Sequence, residues 1–230
     1  MGLRIRRRSR EERLKKLLRR ISKDLQELED LLRGDEEIRR LWLERPEEFR
    51  IIFPRGYIRR VSEFEARFPF IKDKVLLKNI AYTFQMTEVF RWLINRFKIT
   101  LSVESMIYKW GIIVTVSIIE SIMFGFALWH VKDCSEGKKY SIPRKFKNLA
   151  NFLKGTLKVI DEDLKDQLLE INRLRNNIHL YKPDYRELDA YNLEQYNRTI
   201  IILHRLEEVL RDYYENCTIM QEVEEYDLPF

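Results

Sequence analysis

Turn-forming and metal-binding residues are scarce in this chain: seven glycines, six prolines, two cysteines and three histidines occur in 230 residues. So few glycines and prolines exclude a many-stranded β fold, whose turns require them, and long helices are the expected solution. Cys134 and Cys217 are too few for a disulfide framework and lack metal-ligand spacing. With no secretory signal read ahead of them, a reducing, cytoplasmic compartment is expected. No group of side chains has convincing metal-ligand spacing, so no metal and no other cofactor is expected. Internal repeats and low-complexity linkers are missing too. A hydrophobic content of 45% excludes disorder.

Charge of one sign is also lacking overall, with 43 Lys and Arg against 37 Asp and Glu, a net +6. The excess sits at one end. Residues 1–20 carry ten Lys or Arg and two acids, a local +8, which leaves the rest of the chain at −2. Arg4, Arg6, Arg7, Arg8 and Arg10 are therefore candidates for holding phosphate backbones by counterion release or for lying against an anionic surface. A solvated terminus is the plainer alternative.

What the chain does have is helical periodicity. Leu14, Leu18, Ile21, Leu25, Leu28 and Leu32 recur at spacings of four and three, an apolar heptad seam that should form one helix ending near Gly34. A seam this narrow wants a partner helix, from another subunit or from its own chain. Residues 35–73 are interrupted by Pro46, Pro54, Gly56 and Pro69 and read as short helices and turns, with Glu36–Glu44 helical and stopped by Arg45-Pro46. A longer helix is expected from Lys74 to about Phe97. These first hundred residues are taken as a helical extension, residues 101–216 as a helical bundle, and residues 217–230 as a tail.

Gly111 to Val131 is the most apolar stretch and almost long enough to span a bilayer. Glu120 lies at its midpoint, where an acid costs about 2.5–3.5 kcal/mol on insertion scales. A buried central helix is expected instead, and no membrane contact. Lys132–Ile142 reads as a loop, with Pro143 in the first turn of a helix ending by Gly155. Asp161 is expected to cap a helix carrying Leu164, Leu168, Ile171, Leu174 and Ile178, which must stop before Pro183. A last helix covers about Asn192 to Asn216.

The helix begun at Asp161 ends in Arg173-Leu-Arg-Asn-Asn-Ile-His179-Leu, followed by Lys182. A histidine beside guanidiniums combines a proton shuttle with phosphate-binding groups, enough to cut RNA without a metal. At ~100° per residue, His179, Arg175 and Asn172 cluster on one edge of the buried stripe, with Asn176 just beyond, whereas Arg173 points about 120° away from His179. The plain alternative is a helix end whose cations complement its dipole.

The order of features resembles the HEPN domains over about residues 103–216: an apolar helix with a mid-point acid (Ile118-Ile-Glu-Ser-Ile122), a loop, a helix, then a helix ending Leu174-Arg-Asn-Asn-Ile-His-Leu180. The resemblance implies an all-α, up-and-down helical bundle that forms a homodimer in which two motifs face each other. It further implies metal-independent endoribonuclease activity of the kind found in toxin–antitoxin and antiviral defence systems, with RNA as the partner. The family signature is an arginine, four to six residues, then histidine. Arg173 and His179 fit that spacing, yet the Asn that commonly follows the arginine belongs here to Arg175-Asn176, so either arginine is a candidate. His179 would move the proton, Arg173 or Arg175 would stabilise charge on the phosphate, and Asn176 would orient the histidine or hold a phosphate oxygen. Glu120 is a candidate to pair with an arginine of the motif helix. Because many HEPN domains lack activity, a non-catalytic protein- or RNA-binding module, assembling through the Leu14–Leu32 seam, is the rival expectation.

Overall fold

A computed structural model describes residues 2–45, 48, 58–99, 101–134, 140–176 and 191–226, with side chains over 10–45, 48, 58–99, 102–134, 140–176 and 191–218. No strand occurs among them, and the chain is all-α. It divides into two compact units, Met1–Pro54 and Arg55–Phe230.

The first unit holds helices α1 (Gly2–Gly34) and α2 (Glu36–Glu44). The basic arm is thus the first turns of a 33-residue helix. Asp35 leaves helical geometry between the two, and its Oδ1 accepts from the amides of Glu37 and Ile38, both at 3.0 Å, satisfying two orphan donors at the start of α2.

The second unit contains α3 (Val61–Glu65), α4 (Lys74–Arg96), α5 (Leu101–Trp129), α6 (Phe146–Gly155), α7 (Glu162–Asn176) and α8 (Leu193–Tyr226). α5 is the centre, touching α4, α6, α7 and α8. Its Ile112, Ile119, Ile122, Met123 and Phe126 are fully buried, as expected of a helix apolar on nearly every side. Among the described residues Ser102–Cys134 is long and apolar enough to cross a membrane, but 61% of its most apolar stretch is buried within the protein.

Directions follow from which side chains meet. Tyr108 lies near Tyr196, with ring centroids 6.2 Å apart, and Trp129 near Tyr214 at 4.8 Å, so α5 and α8 run parallel. Leu76 at the start of α4 lies over Gly125 late in α5, making α4 antiparallel to α5. Asp163 pairs with Arg205 and Glu170 with Arg198, making α7 antiparallel to α8. α4, α5, α7 and α8 thus alternate in direction along the chain, with short α6 in the crossover. Two close approaches need glycine. A Cβ on Gly111 would come within 2.6 Å of the Tyr196 ring, and one on Gly125 within 2.9 Å of Ile71.

The expected boundary near residue 100 falls inside this second unit, and the division lies at 54/55 instead. Its cause is an aromatic cluster spread over α3, its following turn and α4. Phe64, Phe68, Phe70 and Phe84 expose no more than 4% each, and Phe84 stacks on Phe64 and Phe68 at 5.1 and 5.7 Å. α5 begins ten residues earlier than Gly111, and positions 217–226, expected as tail, continue α8 to Tyr226. Pro143 precedes α6 without entering it; Lys145 is the N-cap. Asp161 caps α7 as expected, accepting from the Leu164 amide at 2.7 Å. The stop expected before Pro183 lies outside the described residues.

Past Trp129, α5 widens into a π-helical turn, His130–Cys134, a form common where a side chain is re-aimed. Here His130 meets α8: its Nε2 lies 3.0 Å from the Tyr213 hydroxyl. Burial lowers the His130 pKa from its ordinary value. Below about pH 6.5 an unfolded imidazole takes a proton that the folded one resists, so each step down in pH favours unfolding until the lowered folded pKa is passed. The melting temperature is therefore expected to fall between pH 7 and pH 5. His130→Gln should flatten that dependence, and an unaltered slope in the variant would assign it to other groups.

Candidate functional site

The site is built where the end of α7 meets the middle of α5. Glu120 is the one charged residue of the apolar part of α5, residues 111–129, and such a carboxylate needs a partner. Arg175, in the last turn of α7, provides it: its Nη1 donates to Glu120 Oε2 at 2.6 Å. Side-chain exposures of 31% for Arg175 and 28% for Glu120 place the pair at the rim of the core, where a charge-assisted hydrogen bond is partly shielded from water. The bond ties the motif helix to the central helix and fixes the rotation of α7.

Ile171 is fully buried, Leu174 and Asn172 are half-buried, and Arg173 and Asn176 are exposed. Arg173 is exposed and has no ion-pair partner among the described residues. The two arginines are therefore in different situations: Arg175 is engaged by Glu120, while Arg173 is available. His179 and Lys182 lie outside the described residues. Arg4, Arg6, Arg7 and Arg8 fall on the backbone of α1, with side chains outside the described set, and Arg10 is exposed. The arm belongs to the other unit.

The strength of the Glu120–Arg175 bond is open to direct measurement. A double-mutant cycle with Glu120→Gln and Arg175→Leu should give a coupling of about 1 kcal/mol, a value already reduced for the pair's partial exposure. Unfolding in urea reads it. A coupling near zero would reduce the contact to a surface ion pair.

Two further groupings escaped the sequence reading because their members are far apart in the chain. A cavity of about 220 Å³ opens between one face of α4 and one face of α8, away from α7, with Arg59, Arg67, Arg91 and His204 in its wall. Two of these guanidiniums are already engaged. Arg59 bonds Glu88 at 2.5 Å, and Arg67 pairs with Glu207 while lying 4.6 Å over the Phe84 ring. The other grouping is at the far end of α5. Cys134 neighbours Cys217, and burial, followed by that neighbour, pushes its thiol up to about 12. Burial and Cys217 push the Tyr213 phenol up to about 12 as well. Cys134 therefore stays protonated at neutral pH and is a poor nucleophile. His130 is buried on Tyr213, and His204 lies exposed 3.6 Å from Glu207. No cluster of metal-ligating side chains occurs among the described residues.

No protein-family model, curated protein or solved structure matches the chain.

Proposed function

We propose that this chain is an HEPN-like, metal-independent endoribonuclease that works as a homodimer, in the manner of a toxin or defence effector. The reading is carried by the 2.6 Å bond between Arg175 and Glu120, which ties a helix ending toward His179 to a mid-helix acid on the central helix. The alternating directions of α4, α5, α7 and α8 also agree with an up-and-down bundle.

In this reading the two arginines divide the work. Arg175, held by Glu120, positions the end of α7. Arg173, exposed and six positions before His179 in the sequence, meets the phosphate and stabilises its developing charge. His179 removes the proton from the ribose 2′-hydroxyl or delivers one to the departing 5′-oxygen. The 2′-oxygen forms a bond to the adjacent phosphorus as the 5′-oxygen leaves, giving a 2′,3′-cyclic phosphate and a 5′-hydroxyl end. Asn176, exposed at the end of α7, orients the histidine or holds a phosphate oxygen, with Asn172 and Lys182 in support. Arg4, Arg6, Arg7, Arg8 and Arg10 add a sequence-independent hold on RNA.

Purified protein incubated with mixed RNAs in EDTA should yield fragments with 2′,3′-cyclic phosphate ends. A preparation that leaves RNA intact in both EDTA and magnesium would overturn the nuclease reading. It would favour the second one, a non-catalytic binding module, for which the exposed leucines of α1 speak.

A further inference from the structure

Among the described residues of the unit Met1–Pro54 no side chain is buried. α1 instead shows the i,i+4 ion pairs Lys15–Glu11 and Lys23–Glu27, at 2.6 and 3.3 Å, which steady a helix but bury nothing. Meanwhile Leu14, Leu18 and Ile21 are about half exposed, and so are Leu17 and Leu31, which lie beside the heptad seam. A unit of this size cannot offset its ordering entropy from such contacts. It needs another surface.

The charges of α1 say which. Residues 10–23 carry seven Lys or Arg and two Glu, a net +5; residues 24–34 carry four acids and one Arg, a net −3. A helix basic in its first half and acidic in its second complements itself when reversed. We propose that α1 pairs with α1 of a second copy of this chain, antiparallel and centred on residue 23.

The register follows from the seam. With Leu18, Leu25 and Leu32 at a positions and Leu14, Ile21 and Leu28 at d positions, reversal about residue 23 sets Leu14 against Leu32, Leu18 against Leu28, and Ile21 against Leu25 of the second copy. Antiparallel helices place e beside e and g beside g. Lys15 then meets Glu29, twice by symmetry, and Leu17 meets Leu31, also twice, so the two leucines outside the seam are covered. A parallel pair does the opposite. It sets Arg10 beside Lys15, Asp24 beside Glu29, and Leu17 beside Ser22, two repulsions and an unmatched leucine on each side. This surface is independent of the ribonuclease reading, since none of its residues belongs to the proposed site in α5 and α7.

Sedimentation equilibrium of the full chain tests the pairing. The wild type should dimerise in the micromolar range, and Leu18→Glu with Ile21→Glu should raise the dissociation constant by on the order of 100-fold or more. These positions face solvent in the single chain, so its circular dichroism should persist. Lys15→Glu and Glu29→Lys should each weaken the dimer by about tenfold, and mixing the two variants in equal amounts should restore it, because every Lys15–Glu29 contact is then again between opposite charges. A parallel pair would instead tighten with either variant alone. A wild type that stays monomeric throughout the micromolar range overturns the proposal. So does a dimer indifferent to the Leu18/Ile21 change, or a mixture no tighter than its components.

Discussion

His179→Ala is expected to lower the single-turnover rate of RNA cleavage in EDTA by about 10²–10⁴-fold, the range that a positioned acid or base contributes. The two arginines should separate in a way that a nonspecific basic surface would not. Arg173 is exposed and without an ion-pair partner among the described residues, so Arg173→Ala should remove phosphate stabilisation, about 10²–10³-fold in rate, with the melting temperature unchanged. Arg175 is bonded to Glu120, so Arg175→Ala should lower both stability and rate, and Glu120→Ala should reproduce its effect through the same helix. Arg175→Lys, which keeps the charge but loses the planar fork, should recover stability in part. If His179→Ala cleaves like the wild type, the activity belongs to another group or another protein. If Arg173→Ala is silent while Arg175→Ala abolishes cleavage without loss of stability, the roles given to the two arginines are reversed.

The elements that were readable from the chain are those set by neighbours in sequence. α2 ends at Glu44 because Arg45 precedes a proline, α6 ends at Gly155, and Asp161 caps α7 through its own third neighbour. Helical spacing alone was enough to put Ile171 inside and Arg173 outside. Long-range pairings left weaker marks. Glu120 inside an apolar helix advertised a need for a cation, and Arg173 and Arg175 were both available in sequence; only the rotation of α7 about its axis selects Arg175. The unit boundary was hidden for a different reason. Phe64, Phe68, Phe70 and Phe84 are buried together, but they stand on a short helix, a turn and the next helix, so no single period links them. An early start of α5 was missed because Ser105, Tyr108 and Ile112, all buried, form an amphipathic stretch that the uninterrupted apolar run after it overshadows.

Phe126→Ala should cost the bundle about 3–5 kcal/mol, the usual range for removing a buried aromatic ring. Phe126 is fully buried and sits where three parts of the second unit meet: its ring centroid lies 5.2 Å from Phe70, 5.3 Å from Trp129 and 5.8 Å from Tyr213, all edge-on. Truncation loses the transfer term, the three edge contacts, and the packing that a rigid helix bundle cannot close over. Phe126→Leu should cost less, about 1.5 kcal/mol, since much of the volume is kept. Urea titration followed by near-ultraviolet circular dichroism reads both, and an alanine variant within about 1 kcal/mol of wild type would mean the site collapses without strain. The cavity would also open beside His130, whose ring lies 6.2 Å from that of Phe126. Water admitted there relieves the burial that lowers the His130 pKa, and the difference in proton uptake between folded and unfolded chains shrinks with it. Phe126→Ala should therefore be the less stable protein at pH 7 and yet lose less further stability than the wild type on going to pH 5.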